Sequence, residues 1–183
     1  EGEYAFLELV RHMEKAGKTR PEQVRGIAFR KGRKIVKTLK ASPVADLDQL
    51  PIPARHFTYQ HVSSSRGCAW KCRFCGSPRL WEGGIRFRSP EHFVQELELL
   101  YHKGIRFFYV SDDTFTVKKD RVIRICRQIL EKGLKVSWCA VSRADCVDEE
   151  ILYWMRKSGC TQISYGVESG SEKIRAALNK RIT

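Results

Sequence analysis

The sequence predicts an α/β fold built from parallel βα units, and three observations carry that expectation. Four short strand candidates, at 57–63, 105–110, 136–141 and 162–167, are each followed by a stretch whose apolar residues recur at helical spacing. The run Ile105 to Val110 is nearly all apolar, as expected of a strand covered on both faces. Gly104, Gly133 and Gly159 stand where successive helices must stop before the next strand begins. With right-handed crossovers, the loops that follow the strands all emerge on one side of the sheet, where α/β barrels carry their active sites.

Taken in order, residues 4–16 read as an amphipathic helix, with Phe6, Leu7, Leu9, Val10 and Met13 on one face and Gly17 as its stop. Val24–Phe29 and Lys34–Leu39 read as two short strands joined by a turn over Arg30–Arg33 that includes Gly32. Residues 41–55 place Pro43, Pro51 and Pro53 among Asp46 and Asp48, the composition of an extended linker. Helix, hairpin and linker make too small a core for a domain, so this segment is expected to pack against something the chain does not contain. The strand at 57–63 then leads into a cysteine-rich loop. Ser89 is placed to cap the next helix, with Pro90 in its first turn, Glu91 complementing its dipole, and Phe93, Val94, Leu97, Leu100 and Tyr101 facing inward. A helix near 117–132 turns Val122, Ile125, Cys126 and Ile129 inward. Another opens at Asp148 with Ile151, Leu152 and Met155 inward, and a last one spans Ser171–Leu178.

The 183 residues suffice for one sizeable core and a small appendage; 42% hydrophobic and 30% charged residues are ordinary for a soluble globular chain. No apolar run approaches the length of a membrane span, and the start, Glu1-Gly2-Glu3-Tyr4, does not read as a secretory signal. A reducing cytoplasm fits seven cysteines in such a chain. The net charge of +13, from 34 Lys and Arg against 21 Asp and Glu, suits nucleic acid, an anionic cofactor or an acidic electron donor. The basic residues are spread out, densest over Arg30–Lys34, with no long basic tract, which weighs against a nucleic-acid partner.

The chemistry is concentrated in Ser65–Gly76, where Cys68, Cys72 and Cys75 follow the spacing C-x3-C-x2-C. Three thiolates this close suit a cubane iron–sulfur cluster, and three local ligands leave one iron open, as catalytic metal sites do. Gly67 and Gly76 flank the loop and permit close backbone approach, and Phe74 is placed to screen a cluster from water. A zinc site would need a second ligand pair, yet the next cysteine is Cys126, and His61 and His92 lie outside the loop. A disulfide framework does not suit an odd set of clustered thiols.

The spacing, with an aromatic residue just before the third cysteine, resembles the signature of the radical S-adenosylmethionine (radical SAM) superfamily. The resemblance implies that Cys68, Cys72 and Cys75 hold a [4Fe-4S] cluster whose open iron chelates S-adenosylmethionine and whose electron cleaves it. It also implies a partial parallel (β/α) barrel of six units, of which this chain would supply four. Many family members carry a Gly-Gly-Glu motif after the second strand, contacting the methionyl amino group. Here the sequence departs from it and offers Asp112 or Asp113, either of which is also a candidate turn cap. After the third strand, Ser142 and Arg143 stand at the same rim; Arg143 suits a carboxylate, and a salt bridge to Asp145 is the competing use. Gly166-Val167-Glu168-Ser169-Gly170 resembles the family's ribose-binding segment, with Glu168 accepting from ribose hydroxyls and Ser171 capping the helix that follows. Cys126, Cys139, Cys146 and Cys160 lack mutual ligand spacing and read as buried small hydrophobes. Arg86, Arg88 and Trp81 are candidates for the mouth of the site or for surface packing. No residue is singled out as a catalytic acid, base or nucleophile.

The N-terminal third places the chain within the family. Gly2 to Val10, the hairpin and Asp46 to Arg55 resemble the join in cobalamin-binding radical SAM proteins. On that resemblance, 1–20 is the tail of an upstream cobalamin-binding-like domain, 21–56 a hairpin and linker, and 57–183 the barrel, incomplete at its C-terminal end. The D-x-H-x-x-G motif that ligates cobalamin is absent from these residues, so cobalamin would be held outside them. Methyl transfer to an unknown substrate is then the leading reaction. The alternatives are a methylthiotransferase of RNA or protein, and a non-catalytic iron–sulfur electron-transfer or zinc/RNA-binding module. The implied partner is an acidic electron donor such as flavodoxin or ferredoxin.

Overall fold

The computed structural model describes residues 1–16, 20–81 and 84–182, so the helix stop expected at Gly17 lies outside the described residues. Its contacts divide the chain into two compact units, Glu1–Ala45 and Asp46–Thr183.

The first unit holds helix α1 (Glu3–Ala16) and an antiparallel hairpin of β1 (Ala28–Lys31) and β2 (Lys34–Lys37). Lys31 pairs with Lys34, leaving a two-residue loop in which Gly32, at φ +60°, takes the positive-φ position. A hairpin turn matched to strand twist requires such a position, and glycine fills it without a Cβ clash. Regular pairing starts later than the sequence predicts because Gly26, at φ +78°, breaks the extended run. The apolar face predicted for α1 is left open: Phe6 and Met13 are exposed while Ala5 is buried.

The second unit is built on a four-stranded, wholly parallel sheet in the order β3 (His61–Val62), β6 (Phe107–Val110), β7 (Ser137–Ser142), β8 (Cys160–Tyr165). A second pair, β4 (Ser65–Arg66) with β5 (Arg86–Phe87), is antiparallel and closes the base of the cysteine loop; short helix α2 (Ser77–Leu80) lies within it. Helices α3 (Pro90–His102), α4 (Lys119–Glu131), α5 (Glu149–Lys157) and α6 (Glu172–Ala177) follow β5, β6, β7 and β8 in the chain. Their starts are those expected from sequence. Ser89, Asp148 and Ser171 each accept a backbone N–H three residues on, satisfying a donor that a helix start leaves without an intrahelical partner. Gly104, Gly133 and Gly159 all adopt positive φ just past their helices, where other residues would be strained.

The core lies on one side of the sheet. Phe93, Val94, Leu97 and Leu100 of α3, Val122, Ile125, Cys126 and Ile129 of α4, and Ile151 and Met155 of α5 meet Val62, Phe108, Val110, Trp138 and Ala140. Burying a side chain such as Phe108 contributes roughly 1.5–3 kcal/mol. Leu152, expected inward, is partly exposed. The expectation that β6 is covered on both faces is also corrected: Phe108 and Val110 are buried while Tyr109 is 41% exposed, because the helices pack against one face only among the described residues. Residues 46–55, read as linker, form two single 3-10 turns whose Ile52 and Ala54 join the core. No helix among the described residues is long and apolar enough to cross a membrane.

Candidate metal and cofactor centre

The loop carrying Cys68, Cys72 and Cys75 leaves the sheet at the C-terminal end of β3, by way of β4. Gly67 opens it at φ +94°, and a Cβ there would lie 2.5 Å from the Gly84 carbonyl oxygen. Only glycine lets the two ends of the loop pass this closely. Cys75 donates its N–H to the Cys72 carbonyl (3.2 Å), which turns the chain sharply between the last two cysteines. Two further elements hold the loop. At the end of β6, Thr114 Oγ1 lies 3.8 Å from Cys68 Sγ. Beyond α6, Asn179 donates its amide to the Lys71 carbonyl (2.7 Å), and Leu178 accepts the Arg73 N–H (3.0 Å). All three thiols are free and half-buried.

This donor set fits an iron–sulfur cluster. It is three cysteines with no carboxylate or imidazole among them, the soft set that such clusters take. Ser77 also donates its N–H to Cys75 Sγ (3.4 Å), the kind of bond to sulfur that tunes a cluster. Among the described residues no three His, Cys, Asp or Glu side chains gather on a single metal ion. A cubane, being larger than one ion, spreads its ligands further apart.

The two aspartates after β6 have different surroundings. Asp112 is buried at 3% exposure and accepts from Ser64 N–H (2.6 Å), Ser65 N–H (3.1 Å), Ser65 Oγ (2.8 Å), Ser64 Oγ and Ser63 Oγ (3.3 Å). Its carboxylate is committed to the serine run that leads into the cysteine loop. Arg121, buried on α4, holds the other side of that run by donating to the carbonyls of Ser64 (2.7 Å) and Arg88 (3.0 Å). Burial pulls Arg121 down to about 10, against the Asp112 charge, so it stays cationic at neutral pH. Asp113, by contrast, is exposed and accepts from Ser77 Oγ just past the third cysteine.

Arg88 is not at a mouth. It pairs with buried Glu96 and donates to His92 Nδ1 (2.9 Å) and the Ser63 carbonyl (2.9 Å). Glu96 also accepts from the Tyr59 hydroxyl; burial, and then that carboxylate, hold the phenol well above its ordinary value. Burial and the Arg88 charge push His92 down, consistent with its acting as a neutral acceptor. Trp81 lies between Arg66 and Arg86, each 5.9 Å from its ring centroid.

Arg143, after β7, is 3% exposed and forms a two-pronged pair with Asp145 (2.9 and 2.7 Å) while donating to the carbonyls of Lys180 (2.9 Å) and Arg181 (3.3 Å). Burial works against its charge, but the Asp145 carboxylate more than offsets this and holds it above its ordinary value. Its guanidinium stacks 4.4 Å from the ring centroid of Trp70 in the cysteine loop, and its Nη1 is buried without a partner. Neighbouring Ser142 is bonded to Thr116 and to the Arg143 carbonyl. Glu168, after β8, sits at φ +68° and accepts from Lys180 Nζ (3.2 Å); a Cβ on Gly166 would come within 2.7 Å of its carboxylate. Phe74 is half-exposed on the loop. Cys126 and Cys160 are buried in the core, which pushes their thiols up to about 12 and 11; Cys139 and Cys146 are half-buried.

Phe74, Asp113, Arg143 and Glu168 thus follow the C-terminal ends of parallel strands, and Ser142 is the last residue of one, on the side from which the cysteine loop emerges. Sequence reasoning missed the Asp112–serine–Arg121 clamp and the Arg88–Glu96 pair. The run Ser63-Ser64-Ser65 and an arginine among the inward residues of α4 were the available signals.

The radical SAM superfamily description matches residues 62–183. An uncharacterised methyltransferase of Pyrococcus horikoshii is 31% identical over 195 residues, covering 100% of this chain and 42% of its own length. The anaerobic magnesium-protoporphyrin IX monomethyl ester cyclase of Cereibacter sphaeroides is 31% identical over 202 residues, covering 100% of this chain and 33% of its own. The chain therefore spans a third to two-fifths of the length of these relatives. Among solved structures, the radical S-adenosylmethionine methyltransferase TsrM from Kitasatospora setae, with cobalamin and a [4Fe-4S] cluster bound, superposes at TM-score 0.79 and 15% identity, covering 97% of this chain and 38% of that one. That likeness shows a shared fold. With the family match beginning at the first parallel strand and spanning all three loop cysteines, this chain belongs to the radical SAM superfamily.

Proposed function

We propose that the whole protein is a cobalamin-dependent radical SAM methyltransferase acting on a substrate still to be identified. The observation that carries this reading is the loop of Cys68, Cys72 and Cys75 at the strand ends, on the side of the sheet where Glu168 also lies. The 31% identity to a methyltransferase across the full chain supports the reaction class. On this reading 57–183 belongs to the barrel, 21–56 is the join, and 1–20 is the tail of a cobalamin-binding-like domain. Seven free cysteines suit a reducing cytoplasm.

Cys68, Cys72 and Cys75 would hold a [4Fe-4S] cluster, which when bound supplies the electron that cleaves S-adenosylmethionine. Asp113, exposed beside the loop, is the better anionic partner for the methionyl ammonium, since Asp112 is saturated by serines. Arg143 has its Nη1 amino group left over for the methionyl carboxylate; its other donors are taken by Asp145 and the 180–181 carbonyls, and its guanidinium face stacks on Trp70. Ser142 orients the Arg143 carbonyl. Glu168 would accept from the ribose hydroxyls if Lys180 releases it, and Phe74 would shield the cluster from water.

The test is anaerobic reconstitution of the full-length protein with iron and sulfide, then reduction with methyl-labelled S-adenosylmethionine present. The reading expects S-adenosylmethionine consumption, labelled cobalamin, and loss of both in Cys68→Ala. A cluster that never engages S-adenosylmethionine would overturn it in favour of an electron-transfer module. Bound zinc without iron–sulfur absorption would overturn it in favour of a structural site. Sulfur insertion alongside the methyl group would point to a methylthiotransferase.

A further inference from the structure

One helix stop in this chain differs from the others. Helices α3, α4 and α5 stop at Gly104, Gly133 and Gly159, each at positive φ, a conformation glycine takes without strain. Helix α6 stops at Asn179, φ +54°, where Asn179 donates its N–H to the Ala176 carbonyl (3.0 Å) and Lys180 donates to the Arg175 carbonyl (2.9 Å). Gly104 with Ile105, and Gly133 with Leu134, close α3 and α4 by the same pair of bonds. The backbone at 179 therefore has no need of a side chain. The Asn179 amide is used elsewhere, on the Lys71 carbonyl (2.7 Å). Beside it the Leu178 carbonyl accepts the Arg73 N–H (3.0 Å), and Arg73 Nη1 donates to the Ala177 carbonyl (3.1 Å). Lys71 and Arg73 flank Cys72, so the end of α6 holds the cysteine loop on both sides of one ligand cysteine. The next two residues meet the other strand ends. The carbonyls of Lys180 and Arg181 accept from Arg143 Nη2 (2.9 and 3.3 Å), and buried Lys180 pairs with Glu168 (3.2 Å). Among the described residues only Glu168, Asn179 and Arg181 take positive φ without being glycine, and such strain persists where the surrounding contacts over-determine it.

We infer that Asn179 is a positioning residue of the cofactor site: its side chain sets the spacing between the loop of Cys68, Cys72 and Cys75 and the strand ends that carry Arg143 and Glu168. The inference rests on the cluster reading above and adds the residue that fixes its geometry. On that reading S-adenosylmethionine reaches the cluster at one end, while its carboxylate and ribose meet side chains at the ends of β7 and β8. A ligand held at several points binds well where those points are spaced in advance; ordering them on binding costs affinity. The sheet does not supply that spacing, because β3, which leads into the loop, and β8 lie at its opposite edges. The end of α6 does, bonded to the loop through 177–179 and to Arg143 and Glu168 through 180–181. A glycine at 179 would stop the helix equally well and leave the Lys71 carbonyl without its donor.

The test uses full-length, reconstituted protein with S-adenosylmethionine itself as the probe. Asn179→Gly installs the residue that the other helix stops use, so the urea midpoint should equal or exceed that of wild type. Iron and sulfide content should stay at the wild-type level, since all three thiolates remain. The dissociation constant for S-adenosylmethionine, from titration of the reduced-cluster electron paramagnetic resonance signal, should nevertheless rise about tenfold. Asn179→Asp tolerates positive φ and matches asparagine in size but has no side-chain N–H to donate, so it should show at least the same loss. Wild-type affinity in both variants would overturn the positioning role alone. So would a lowered urea midpoint with unchanged affinity, which would reduce Asn179 to a helix stop. A wild-type cluster that never engages S-adenosylmethionine would overturn the cluster reading, and this inference with it.

Discussion

Replacing Asp112 separates a positioning role from a cofactor role. Its carboxylate accepts from the buried backbone N–H groups of Ser64 and Ser65, from their two buried hydroxyls and from the hydroxyl of exposed Ser63. Asp112→Ala leaves two buried N–H groups with no acceptor, at about 1–3 kcal/mol each, and the hydroxyls can only partly re-bond. It also removes the carboxylate charge that favours the Arg121 cation across the serine run, a smaller loss because the two side chains do not touch. These losses overlap, so the expected total is about 3–5 kcal/mol, a large share of a typical domain's stability of about 5–15 kcal/mol. Asp112→Asn keeps one oxygen for the two N–H groups, and the serine hydroxyls can rotate to accept from the new amide; about 1–2 kcal/mol is expected. Urea unfolding of the cluster-free full-length protein measures both, read from midpoints at constant slope. S-adenosylmethionine binding to the loaded Asn variant should be retained. An Asp112→Ala protein as stable as wild type, but unable to bind S-adenosylmethionine, would refute the reasoning, because the carboxylate would then serve the ligand and not the serines.

Gly67→Ala should cost more than about 2 kcal/mol and reduce iron uptake on reconstitution, since a Cβ at φ +94° meets the Gly84 carbonyl oxygen at 2.5 Å. In native, cluster-free protein near pH 8, a thiol alkylating agent should modify Cys68, Cys72 and Cys75 before Cys126 and Cys160, whose burial lifts them to about 12 and 11; peptide mapping checks the order. The Arg143 bonds hold Asp145 below its ordinary 3.8, so the pair contributes stability above that value and loses it as pH falls through the lowered one. Asp145→Asn should therefore flatten that part of the acid-unfolding curve.

What could be read without coordinates was what local chemistry specifies. Ser89, Asp148 and Ser171 cap helices because a short oxygen-bearing side chain at a helix start has one dominant use, and Gly104, Gly133 and Gly159 stop them because positive φ favours glycine. The cysteine spacing was equally legible, being a single turn of chain. Long-range choices were not. Asp112 and its serines are separated by 47 to 49 positions, and nothing in either stretch says which acid will face inward. The pairing of β4 with β5 covers two residues a side, too few to show a period. Arg143 makes the bridge to Asp145 that was the competing use offered for it, and only the fold around Trp70 and Lys180 shows how its nitrogens are shared. For α1 periodicity reports amphipathicity without naming what covers it; Phe6 and Met13 are exposed.

The most direct measurement of the central claim is the electron paramagnetic resonance spectrum of the reduced, reconstituted full-length protein before and after S-adenosylmethionine is added. The account predicts iron and sulfide in the ratio of a [4Fe-4S] cluster, a reduced-cluster signal abolished in the triple variant of Cys68, Cys72 and Cys75, and a changed signal once S-adenosylmethionine reaches the open iron. A signal that S-adenosylmethionine leaves untouched, or one that survives removal of the three cysteines, would contradict it.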